Sequence, residues 1–219
     1  MTRAFWACFA LSMALYAMML FWTLPQIKAE AGGLLPFDLR PLGYTEEAAR
    51  SYLNALSARG RDVYLGPQHL LDLFYPITLA AVFVLGAMIL YRGRVRWVII
   101  GFAMVGEVAD YGENALVSTM LTSHPDLVPS STIAFAGFLT FVKSVAVTVC
   151  ICALLFGAAR VWMSKRRLQR ALKRFGYMSL DPRDGEYDPP EAPAQSAAPA
   201  PFKSRRKDPM RGMFPEAGE

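Results

Sequence analysis

Six ionisable residues fall in or beside the apolar stretches of this chain: His69, Asp72, Glu107, Asp110, Glu113 and Lys143. Glu107, Asp110 and Glu113 share the segment WVIIGFAMVGEVADYGENALVSTML, and Lys143 stands in TIAFAGFLTFVKSVAVTVCICALLF. On a helix turning 100° per residue, with Glu107 at zero, Tyr111 falls at about +40°, Asn114 at about −20° and Asp110 at about −60°. Glu113 lies further round, at about −120°. Such a polar face does not suit lipid and must turn toward other helices or a wet cavity. One lysine leaves two of three carboxylates uncompensated. Carboxyls in that position can pass protons or hold the polar end of a ligand.

The chemistry that is absent narrows the classes. The sequence has no H-E-x-x-H, G-x-S-x-G or phosphate-loop motif, so no residue is assigned as catalytic. An acid pair such as Glu107 and Asp110 could do acid–base work on a lipophilic substrate, but nothing in the spacing selects an enzyme. Cys150 and Cys152 are about 200° apart on a helix and cannot close on each other or share a metal. His69 and His124 are isolated, so no metal site and no cofactor are expected.

Apolar runs at about 4–24, 70–91, 97–122 and 132–159 must carry these residues, and each reaches the roughly 20 residues that cross a bilayer. The expected fold is an all-α membrane protein, an antiparallel bundle of four transmembrane helices over residues 1–159. Arg3, the cluster Arg92, Arg94 and Arg96, and the basic run after residue 159 place both termini and the second link in the cytoplasm. The expected location is a bacterial inner membrane. The first run is expected to stay as a span, because it exceeds the apolar core of a usual signal peptide, although Ala29-Glu30-Ala31 has the form of a cleavage site.

The helix rise also sets depth. Measured from the outer end of its span, Lys143 lies about 16 Å down, between Glu113 at about 13 Å and Asp110 at about 18 Å. Neighbouring antiparallel spans would therefore pair Lys143 with Asp110 or Glu113, with Thr140 and Cys150 on the same side. Asp72, His69 and Tyr75 are expected at a shallower outer rim, and the site is expected to open toward the outer face. Pro76 marks a kink whose freed carbonyl needs a partner.

The link 25–69 is long for a connector and should form an extracytoplasmic, partly helical loop. Thr45 has the form of an N-cap, Glu46 and Glu47 suit a first turn, and Ala48, Tyr52, Leu53 and Leu56 give helical spacing over about 45–58. Residues 160–177 continue past the last span as a basic amphipathic helix. Its Lys165, Arg166, Arg167, Arg170, Lys173 and Arg174 are expected on lipid headgroups, the nearest polyanion, rather than on nucleic acid. Residues 178–219, rich in Pro, Ala and charge, are expected to be a disordered tail.

Three stretches, PFDLRPLGY at 36–44, LDLFYP at 71–76 and DYGEN at 110–114, resemble segments of small bacterial four-span membrane proteins. The resemblance covers roughly residues 30–120. It implies that topology and a recurring set of Asp38, Arg40, Asp72, Asp110 and Glu113, and it carries no activity. Asp38 and Arg40 join the expected outer rim. The functional expectation is a buried acidic site that binds a small or lipophilic ligand or relays protons. A non-catalytic accessory subunit of a larger membrane complex, with a membrane-protein partner, is the alternative.

Overall fold

The computed structural model describes residues 1–174, with side-chain surroundings given to residue 172. The tail expected at 178–219 and the last residues of the basic helix lie outside these residues. Among the described residues the chain is all helical, without a strand. Three helices are long and apolar enough to cross a membrane: Thr2–Glu30, Ala58–Leu90 and Ser130–Leu172.

The first of these comprises α1 (Thr2–Met18), a π-helical turn (Met19–Thr23) and α2 (Leu24–Glu30). Pro25 falls just after the π-helical turn, inside this continuous helix. A short 3₁₀ turn (Phe37–Leu39) precedes α3 (Glu46–Ala55) and α4 (Ala58–Val63). The Thr45 side chain accepts a hydrogen bond from the Ala48 N–H, and Ser57 caps α4 in the same way through Gly60. A second π-helical turn (Tyr64–Gln68) joins α4 to α5 (His69–Leu90). Then follow α6 (Arg94–Thr122) and α7 (Ser130–Arg174).

One consequence bears on the site. The link is expected to run to residue 69, yet Pro67 sits inside the π-helical turn and the helix continues through it. Asp72 therefore stands well inside a 33-residue helix.

Helix α5 packs against both α1 and α6. Helices α6 and α7 meet through small residues. A Cβ on Gly106 would lie 3.3 Å from the Ala146 side chain, and one on Gly112 would lie 2.9 Å from Leu139. Small residues at such a crossing let the backbones approach and keep polar side chains within bonding range.

The largest apolar core lies at one end of the helices. Ile27, Ala31, Phe37, Tyr52, Leu53 and Tyr64 cluster there with Val117, Met120, Ile133 and Ala136. Two arginines close the helix ends around it. Arg50 donates to the carbonyls of Pro125 at 2.7 Å and Val128 at 3.0 Å. Arg61 donates to Leu121 at 2.9 Å, in the last turn of α6, and to Leu53 at 2.8 Å, in α3. Carbonyls near helix C-termini lack intrahelical partners, and a guanidinium with several donors satisfies two at once.

Candidate functional site

Depth and antiparallel packing should bring Lys143 to the acids of the preceding helix, and the structure brings it to two of them. Its Nζ donates to Asp110 Oδ1 at 2.9 Å. It also lies 2.5 Å from Glu113 Oε2, as an ion pair without hydrogen-bond alignment. The second Glu113 oxygen accepts from Thr140 Oγ1 at 2.6 Å. The Glu113 side chain is fully buried, whereas Asp110 and Lys143 keep a small exposure.

Asn114 is buried beside them. Glu107, placed near the middle of the polar face by the helical wheel, and Tyr111, at its edge, are only partly buried. The inward direction of α6 is instead set by Gly106, Ala109 and Glu113, all buried. A helical wheel gives angles between residues, and only the neighbouring helix decides which angle points inward. Tyr111 has a specific partner even so. Its hydroxyl donates to the Leu73 carbonyl at 2.6 Å, in the turn before Pro76.

Of the residues expected at the outer rim, Asp72 is buried between helices, and its Oδ2 accepts from Gln68 Nε2 at 3.0 Å. Thr23 in turn donates to Gln68 Oε1. Thr23 and Gln68 stand in the two π-helical turns, which open the backbone where these polar side chains meet. Asp72 also lies within electrostatic reach of Asp38, Asp110 and Lys143.

Asp38 is half-buried and accepts from the Tyr64 hydroxyl at 2.5 Å. Arg40 holds the loop by donating to the Leu35 carbonyl through Nε at 3.0 Å and Nη2 at 2.8 Å. Its guanidinium lies over the rings of Phe37 and Tyr52. His69 is exposed and Tyr75 half-buried. His69 is 3.4 Å from Ser118, and Tyr75 stacks on Tyr16 of α1.

Tyr44, Tyr64 and Gln68 have no motif that would have singled them out. Gln68 stands one helical turn before Asp72, a spacing that marks the pair only once the helix is known to run through Pro67. Tyr44 arrives with the loop. Gly43 has φ of 80°, and a Cβ there would stand 2.8 Å from the Gly137 carbonyl oxygen. This close approach of loop to α7 sets Tyr44 among Glu113, Thr140 and Lys143. Burial pushes the Tyr44 and Tyr52 phenols up, away from ionisation, with Glu113 adding to the effect at Tyr44 and Asp38 at Tyr52. Both hydroxyls are buried without a hydrogen-bond partner among the described residues.

The loop packs against the end of the helices that carries the largest apolar core. A shallow, half-open cleft runs between α5, α6 and α7, lined by Leu79, Ala80, Phe83, Phe102 and Val147 among others, with Glu107 and Asp110 as its acids.

The basic side chains Lys165, Arg166, Arg167 and Arg170 of α7 are all exposed. The Arg166 guanidinium lies 3.6 Å from the centre of the Trp162 ring. The side chains of Lys173 and Arg174 lie outside the described residues.

No protein family matches the chain, and neither a curated protein nor a solved structure is similar to it.

Proposed function

We propose that this is a four-span protein of a bacterial inner membrane, with both termini cytoplasmic, that binds a lipophilic ligand at the Asp110–Lys143–Glu113 centre. The observation that carries this reading is the side cleft. It is apolar along most of its lining, yet it ends on Glu107 and on the partly exposed Asp110. A proton relay alone would need only a wet path. An apolar passage ending on carboxylates suits a molecule with a hydrocarbon body and one polar end.

Length and sidedness support α6 as the fourth span. Its 29 residues extend about 43 Å at the helical rise, enough for the hydrocarbon core. Its acids keep it out of the set of plainly apolar helices. Those acids lie on the buried or half-buried side, while Trp97, Val98, Val105 and Val108 are exposed and suit lipid. Lys165, Arg166, Arg167 and Arg170 then stand where anionic headgroups would be met.

The test is extraction of lipophiles from the full-length protein purified in mild detergent. A lipophilic compound stoichiometric with the wild type should be lost both in Asp110→Asn and in Ala80→Phe, which fills the cleft without touching an acid. If no stoichiometric compound is found, or if both variants retain it, the reading fails.

A further inference from the structure

The loop between the first two long helices meets α7 within its length rather than at its end. A Cβ on Gly43 would stand 2.8 Å from the Gly137 carbonyl oxygen. Gly137 is about two turns into α7, roughly 10 Å from its start at Ser130. On either side of that level α7 presents apolar side chains outward. Phe135 and Phe138 are exposed and stack on each other, and Phe141 is exposed one turn further on. This helix is one of those long and apolar enough to cross a membrane.

The residues before the contact form a tight turn. The Gly43 N–H donates to the Arg40 carbonyl at 2.9 Å, with Gly43 at φ of 80°. Pro41 and Leu42 form the tip, and both are exposed, Leu42 at 85%. Pro41 has no N–H, and that of Gly43 is used within the turn, so Leu42 brings the tip's only free donor. The Arg40 side chain turns the other way. It donates to the Leu35 carbonyl and lies over the rings of Phe37 and Tyr52.

We propose that the Arg40–Gly43 turn is a lipid-contacting tip, in which Pro41 and Leu42 insert among the acyl chains of the adjoining leaflet. A single exposed leucine on a water-facing surface needs no explanation. Leu42 differs because the contact at Gly137 fixes its level beside an apolar helix face that lipid must cover. Hydrocarbon is therefore the occupant that continues across both. Irregular backbone is tolerated at such a level where its other side rests on protein, as Gly43 rests on α7. The tip secures the segment that carries Asp38 and Tyr44. The proposal requires that α7 crosses the membrane and does not depend on the ligand at the centre.

The test uses full-length protein in phosphatidylcholine nanodiscs and makes two measurements. In the first, Leu42→Cys and Leu127→Cys are treated with a water-soluble maleimide, and the wild type gives the background of the native cysteines. Leu127, in the short link before α7, is 78% exposed and serves as the water-facing reference. The thiolate is the reacting form, and hydrocarbon disfavours it. Leu42→Cys should react at least about tenfold more slowly than Leu127→Cys, and the two should react alike once denatured in sodium dodecyl sulfate. In the second, wild-type protein is irradiated with phosphatidylcholine carrying a diazirine in its acyl chain, and the adducts are located by mass spectrometry. They should fall on residues 41–42 as well as on residues 135–141.

Equal maleimide rates in nanodiscs would overturn the proposal and place the tip in water. Slow reaction of Leu42→Cys without adducts on residues 41–42 would overturn it in favour of cover by protein. Adducts on residues 135–141 alone would do the same and leave α7 in the membrane. If neither segment carries adducts, the proposal falls together with the membrane-spanning reading of α7.

Discussion

Lys143 is the residue on which the centre depends. Among the described residues it is the one cation that meets both Asp110 and Glu113, and Glu113 has no exposure through which water could take its place. Removing one partner of a buried ion pair leaves an uncompensated charge, at a cost of about 3–5 kcal/mol. Lys143→Met should therefore lower stability by about that amount, measured by unfolding in detergent. The double variant Lys143→Met/Glu113→Gln should recover part of the loss, because one stranded carboxylate is then replaced by a neutral amide. If the double variant is no more stable than the single one, Glu113 is not carrying charge against Lys143. The pairing itself was legible in the sequence, since helix rise alone put the lysine level with both acids. The inward rank of the acids was not. Glu113 looked peripheral on the wheel and is the most buried of the three, because the small residues Gly106 and Gly112 fix how α6 meets α7.

At the scale of elements, the loop between the first two long helices contributes to the interior. Asp38 and Tyr44 enter the polar region from it, held by the Arg40 clamp and by the contact of Gly43 with Gly137. Gly43→Ala tests that contact. The added Cβ would meet the Gly137 carbonyl oxygen, and φ of 80° is unfavourable to any residue with a side chain. The expected result is a loss of about 1–3 kcal/mol with faster hydrogen exchange over residues 37–45, while α5 and α6 keep their protection. Unchanged exchange in the loop would show that the contact does not hold it. The start of α3 was readable from Thr45-Glu46-Glu47 because a cap is local chemistry. The passage of a helix through Gly66-Pro67 was not. A proline inside a helix is tolerated only where the surroundings re-satisfy the backbone, and that is decided outside the local sequence.

For the molecule as a whole, the proposed four-span arrangement makes a direct prediction about sidedness. Alkaline phosphatase, which is active only outside the cytoplasm, should be active when fused after residue 127 and inactive when fused after residue 93. Green fluorescent protein should give the opposite pattern. High phosphatase activity at residue 93 would reverse the orientation, and equal activity at both sites would remove α6 from the spans. The arginines on either side of residue 93 motivate the expected sign, since positive charge is retained on the cytoplasmic side.

Composition and period alone determined that the chain is helical, that its apolar runs reach membrane-spanning length, and that three acids and a lysine share comparable depth. These are one-dimensional properties, fixed by residue type and by the constant rise and turn of a helix. Only the tertiary structure decided which acids face inward, that Asp72 is buried, and that Asp38 reaches Tyr64. Those outcomes depend on how closely helices approach at Gly106, Gly112 and Gly137, and on where a loop returns. Contacts between residues far apart in sequence leave no period or motif along the chain.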